Sequence, residues 1–197
     1  MPFRGTLPRA PSAAVPGLLT CFGIWSCESR APSPPSQSGP SHVQRGAYLV
    51  AYGGCGDCHT PKLFTPQGPV PDTAHSLSGY PADAKLPPVT PGVLGPNKWG
   101  ALASGDLTAW AGPWGVSFTA NLTPDETGLG GWNEEVFIKT MRTGKHLGVG
   151  RDLLPPMPWY DIAALTDDDL KAVFAYLHTL KPVKNKVPPP IPPSAAH

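Results

Sequence analysis

Charge is scarce in this chain, and sulfur ligands are scarcer. Charged residues make up 15% of its 197 residues and sum to a formal charge of +1, which excludes the basic surface that nucleic acid binding needs. It also excludes a strong one-signed field for steering a partner over long range. The apolar run over residues 13–25 is too short, and too interrupted by Pro and Gly, to cross a bilayer. Only four cysteines and three methionines occur. Two of the cysteines, Cys55 and Cys58, are closely spaced, and no second close pair of Cys or His joins them to make a four-ligand zinc site. The abundant residues are proline (28) and glycine (22), so much of the chain is expected outside regular helices. With moderate apolar content, that length suits one domain with appendages rather than two domains.

The two close cysteines stand in Cys55-Gly56-Asp57-Cys58-His59, and Cys-x-x-Cys-His is the pattern in which a c-type haem is attached. Cysteines three apart in a helical turn lie on one side of it, within reach of the two vinyl groups of one porphyrin. His59 then offers its imidazole to the iron. A zinc half-site or a thiol redox pair would have no need of that histidine. One such motif occurs, so one haem c is expected. Upstream, Ser41 is placed to cap a helix in which Val43, Ala47 and Val50 recur at helical spacing until Gly53-Gly54 ends it.

Haem iron has a sixth position, and its occupant separates an electron carrier from a gas sensor or an oxidative enzyme. Met1 falls in the leader and Met141 on the core face of a helix expected over 133–143. Met157 stands in Leu153-Leu154-Pro155-Pro156-Met157-Pro158-Trp159, where three prolines fix their own φ and bias the preceding residues toward extended backbone. A stiff loop holds a weak thioether ligand with little further ordering cost, which makes Met157 the candidate sixth ligand. The alternative is a gap-filling core methionine, with His75, His146 and His178 as other ligand candidates. Thr166-Asp167-Asp168-Asp169 reads as a capping box with acids in the first turn, followed by Leu170, Val173, Phe174 and Leu177 on one face. Lys181-Pro182 closes that last helix.

In this order of parts the chain resembles the class I mono-haem c-type cytochromes. A closer similarity, on Asn121-Leu122-Thr123-Pro124-Asp125, on Gly128-Leu129-Gly130-Gly131-Trp132 and on Arg142-Thr143-Gly144, is to haem modules of cytochrome subunits of membrane dehydrogenases. The resemblance spans residues 43–182. It implies a small all-α fold around one covalent haem, with the first and last helices packed together and the haem edge exposed. It further implies His59 and Met157 as axial ligands. In this family a proline carbonyl after the motif orients the proximal imidazole, and Pro61 and Pro69 both qualify.

The departure is residues 62–120, rich in Pro and Gly and carrying Trp99, Trp110 and Trp114, which is long for a compact member. It reads as an ordered loop insertion over one haem edge, with a short strand over 115–120. Lys62, Lys139, Arg142, Lys145 and Arg151 are candidates for a cationic ring or for propionate partners, against scattered solvated charges. Residues 1–27 read as an export leader, and Ile24-Trp25-Ser26-Cys27 as an imperfect lipobox. A lipid anchor on Cys27 is expected; a disulfide between Cys21 and Cys27 and soluble periplasmic export are the alternatives. Residues 28–40, dominated by Ser and Pro, read as a tether, and 183–197 as a Pro-rich tail with no core to join, leaving 41–182 as the haem domain. The whole reads as a non-enzymatic carrier of single electrons in the periplasm or on the outer face of the cytoplasmic membrane, serving redox partner proteins. A relay subunit of a larger respiratory or photosynthetic complex and an open-site haem enzyme or sensor are the alternatives.

Overall fold

The computed structural model describes residues 40–193. Ser41 caps helix α1 (His42–Tyr52) with a reciprocal capping box: its hydroxyl accepts from Gln44 N, and the Gln44 side chain accepts from Ser41 N. Helix α2 (Cys55–His59) follows after Gly53 and Gly54. Helix α3 (Glu134–Thr143) is capped by Asn133, and a single turn, α4 (Trp159–Ile162), precedes α5 (Asp167–Leu177). The Thr166 side chain accepts from Asp169 N, with three aspartates in the first turn of α5, as its sequence predicts.

Helices α1 and α5 pack at very short range because position 46 has no side chain. A Cβ there would lie 1.9 Å from Ala172 O and 2.8 Å from Tyr176 Cβ. Arg45 grips Asp169 across the crossing with two hydrogen bonds, Nε to Oδ1 at 2.8 Å and Nη2 to Oδ2 at 3.2 Å. Below it lies the apolar cluster of Val50, Leu77, Leu129, Phe137, Met141, Leu170, Val173 and Leu177. Met141 is thus a core residue, as its helix position predicts.

The description all-α is incomplete. Residues 62–118 carry two small antiparallel sheets: a hairpin of β1 (Lys62–Thr65) and β2 (Gly68–Pro71), and a sheet of β3 (Leu102–Ala103), β4 (Ala109–Gly112) and β5 (Gly115–Phe118) in that order. The strand expected over 115–120 is β5; the other strands, of two to four residues, are too short or too rich in Pro and Gly for an alternating pattern to stand out in sequence. Prolines at 69 and 71 argue against a strand except at an edge, which β2 is.

The tail also departs from expectation, since residues 183–191 lie on the domain instead of extending free of it. The Asn185 side chain donates to Ser78 O (2.7 Å) and Tyr80 O (2.9 Å) and accepts from Ala82 N (3.0 Å). Ile191 exchanges two backbone hydrogen bonds with Val116 of β5, and a Cβ on Gly115 would lie 2.0 Å from Ile191 O. Asn185→Ala is expected to leave two carbonyls and one N–H short of partners and to cost about 2 kcal/mol. A shift in the denaturant midpoint at unchanged slope measures it, and an unaltered midpoint would refute the role.

Candidate haem-attachment site

Gly54 makes α2 start where it does. Its φ of +63° lies in the left-handed region, and a Cβ there would meet Asp57 Oδ2 at 2.9 Å, so the turn between α1 and α2 needs glycine. Helix α2 is one turn carrying Cys55, Cys58 and His59. Both thiols are free and half-buried, and burial raises the pKa of each; Lys62 partly opposes this at Cys58. The Lys62 ammonium donates to Asp57 O (2.8 Å), to Gly56 O (3.4 Å) and to Thr60 O, which places a cation on the carbonyl end of α2.

His59 is 9% exposed. Its Nδ1 stands 2.8 Å from Ala120 O; a carbonyl accepts only, so Nδ1 carries the proton and Nε2 the lone pair. Burial lowers the imidazole pKa, while the bond to Ala120 works the other way with smaller effect. Among the described residues Nε2 makes no hydrogen bond. The expectation that Pro61 or Pro69 supplies the orienting carbonyl is therefore corrected. Pro61 O accepts instead from Asp72 N at 2.9 Å, closing the β1–β2 hairpin, and Pro69 lies within β2.

Ala120 is held from both sides. Before it, Thr119 N donates to Thr108 O and Tyr80 N to Thr119 O. After it, Asn121 is 3% exposed and uses its whole amide: Oδ1 accepts from Thr123 N (2.9 Å) and Thr123 Oγ1 (2.8 Å), and Nδ2 donates to Val183 O (2.8 Å) and Thr127 Oγ1 (3.2 Å). Asn-Leu-Thr-Pro-Asp is thus a positioning latch for the histidine's acceptor. An asparagine bonding its own backbone two residues on is legible in sequence as an Asx turn; its link to His59, 62 residues upstream of it in the chain, is not.

The Met157 loop is pinned at three points. Leu153 N donates to Gly144 O (2.7 Å), Ser117 Oγ to Pro155 O (2.6 Å) and Met157 N to Leu154 O (3.3 Å). Gly144 takes φ +64°, and the Trp159 indole covers it so closely that a Cβ would lie 2.5 Å from Cε2. Met157 and Cys55, both half-buried, pack against the same apolar cluster. The rival ligands have other contacts: His75 pairs with Asp72 at 2.7 Å, the His178 ring lies 4.1 Å from that of Phe174, and His146 stands edge-on to Trp132 at 5.5 Å. Of the five candidates for a cationic ring, three are engaged within the chain. Lys62 is spent on α2, Arg142 on Asp167, and Lys145 on Asp152 at 2.6 Å. Cys21 and Cys27 lie outside the described residues.

The donor set suits a covalently held haem. No three His, Cys, Asp or Glu side chains among the described residues converge as a bare cation would require. What exists is a thiol pair on one turn, an imidazole with its second nitrogen unbonded, and a thioether on the same apolar wall. Thr119 Oγ1, next to the carbonyl that holds His59, is the one buried side-chain polar atom among the described residues with no partner. That is expected of a wall completed by a polar group from outside the chain.

No family model matches the chain. It is 29% identical over 187 residues to one of the subunits of nicotinate dehydrogenase of Pseudomonas putida, covering 93% of this chain and 12% of the relative. It is 40% identical over 80 residues to the cytochrome c subunit of the quinone alcohol dehydrogenase of Gluconobacter oxydans, covering 39% and 16%. It is 30% identical over 149 residues to the cytochrome c subunit of gluconate 2-dehydrogenase of Pantoea cypripedii, covering 75% and 25%. The chain spans a quarter or less of the length of these three relatives.

Proposed function

We propose, from the chain's similarity to cytochrome c subunits of dehydrogenases, that it is an electron-relay haem protein working within such an assembly, with no substrate chemistry of its own. One haem c is attached through Cys55 and Cys58, with His59 and Met157 as axial ligands, in a class I cytochrome arrangement. The observation that carries this is one helical turn presenting two free thiols and an imidazole whose Nδ1 is tied to Ala120 O and whose Nε2 is unbonded. Once bound, a haem supplies one-electron chemistry at its iron.

The chain's own contribution is to fix the ligands. Ala120 O selects the imidazole tautomer and makes Nε2 more basic. The three bonds on the Met157 loop limit how far its sulfur strays, so a ligand set of this kind changes little between oxidation states. A free shuttle is less well supported than a docked relay, because the net charge is +1 and most charges around the site are engaged within the chain. The partner is then a dehydrogenase subunit, reached through close contact. Export to the periplasm and a lipid on Cys27 belong to the same proposal, resting on the leader and lipobox; no helix among the described residues is long and apolar enough to cross a membrane.

Met157→Ala is the test of the ligand assignment. Loss of a thioether that favours ferrous iron is expected to lower the reduction potential and to let the ferrous protein take up CO. An unchanged visible spectrum and potential in the variant, or ready CO binding by the wild type, would remove Met157 from the iron.

A further inference from the structure

Residues 155–158 have few hydrogen bonds of their own to make. Pro155, Pro156 and Pro158 lack an N–H, and the one donor left, Met157 N, is used at 3.3 Å on Leu154 O inside the same loop. The carbonyls of Met157 and Pro158 accept from Trp159, Asp161 and Ile162, just downstream. Among the described residues, a single hydrogen bond ties this stretch to a distant part of the chain: Ser117 Oγ donates to Pro155 O at 2.6 Å.

Both the place and the direction of that hydroxyl are fixed. Ser117 is 7% exposed and lies on β5, a strand paired on one edge with β4, Ser117 opposite Trp110, and on the other with Ile191 through Val116. Its backbone is therefore held from two sides. Trp114 Nε1 stands 3.3 Å from Ser117 Oγ, and an indole nitrogen only donates. The oxygen accepts there and keeps its single proton for a carbonyl, for which Pro155 O at 2.6 Å is better placed than Trp110 O at 3.4 Å. Three residues on, the same segment presents Ala120 O to His59 Nδ1. One stretch, residues 117–120, thus bonds both the loop of Met157 and the ring of His59.

Resting on the haem reading above, we infer that Ser117 is a positioning residue for Met157: its hydroxyl holds Pro155, two residues before the thioether, and keeps that sulfur from leaving the iron. A thioether is a weak ligand, and it outcompetes an outside ligand for the sixth position only while its loop is already ordered. Without the hydroxyl, Pro155 O and the Trp114 N–H lose a partner. Residues 155–158 then keep only bonds made within their own segment, so the sulfur is freer to move away.

The experiment measures carbon monoxide binding to the ferrous, haem-loaded full-length protein as wild type, Ser117→Ala, Met157→Ala and the double variant. Ser117→Ala is expected to tighten the apparent Kd for CO about three- to tenfold, the worth of one hydrogen bond, and Met157→Ala to tighten it further. In the Met157→Ala background, Ser117→Ala should add nothing, because the hydroxyl acts only through that sulfur. An apparent Kd in Ser117→Ala equal to wild type overturns the inference. An equal effect of Ser117→Ala in both backgrounds also overturns it, since that marks a general loosening of the fold. The underlying reading fails separately: if Met157→Ala binds CO no more tightly than wild type, Met157 is not on the iron and the inference falls with it. Tighter binding in Met157→Ala with none in Ser117→Ala sinks only the role of Ser117. Should Ser117→Ala fail to hold haem, Trp114→Phe decides. It removes the N–H that orients the hydroxyl, so CO should bind more tightly by a smaller factor, and an affinity equal to wild type overturns the proposal.

Discussion

Gly46→Ala is expected to destabilise the protein by about 3 kcal/mol, although alanine is the better helix former. The propensity gain in a helix interior is at most about 1 kcal/mol. Against it stands a methyl group 1.9 Å from the carbonyl oxygen of Ala172, a contact no rotamer change relieves because Cβ has none and its neighbour is backbone. The α1–α5 crossing must open, and overpacking of that kind costs about 1–3 kcal/mol or somewhat more. Opening it also stretches the Arg45–Asp169 pair and loosens Val50 and Leu170 beneath. Since natural domains are stable by only about 5–15 kcal/mol, the midpoint of thermal or denaturant unfolding should fall well outside error. Stability equal to or above wild type would mean that the two helices do not meet as described.

The second large effect is chemical. Replacing Cys55 and Cys58 together by serine is expected to abolish covalent haem, seen as complete loss of haem staining on a denaturing gel and of any haem that stays with the protein through acid-acetone extraction. Each single replacement leaves one thioether, so the stain should fall but persist. Serine keeps the size and the helical turn while removing the nucleophilic sulfur, and the thiols are half-buried without a disulfide to lose, so the fold has no other reason to fail. A stain surviving in the double variant would show attachment elsewhere, and the assignment of these two cysteines would fall with it.

What can be read from sequence divides along physical lines. Caps, helices and the pentapeptide are local, and Ser41, Thr166, Asn133 and Cys55 to His59 all stand in the elements their neighbours within four residues dictate. The core methionine is separable from the loop methionine for the same reason, since a 3.6-residue period and a proline run are both short-range signals. The partners of those elements are not legible. The acceptor for His59 is a carbonyl at Ala120, and a backbone carbonyl carries no residue-type signal, so the expectation of a proline fails there. Residues 183–191 read as unattached because their composition is poor in apolar side chains, yet they are held by the Asn185 amide and by strand pairing at Ile191. Composition counts burial and cannot count hydrogen bonds to distant backbone.

The latch at Asn121 has a consequence in time. Its amide donates to Val183 O, 62 residues downstream, and Ala120 beside it carries the carbonyl that holds His59. During synthesis the motif turn emerges early, and the segment that locks its wall emerges well after it. Contacts so distant in sequence form late in folding. Until residues 183–191 emerge, Asn121 lacks Val183 O and Val116 lacks Ile191, so the segment that carries the acceptor of His59 is completed by the last part of the domain to be made.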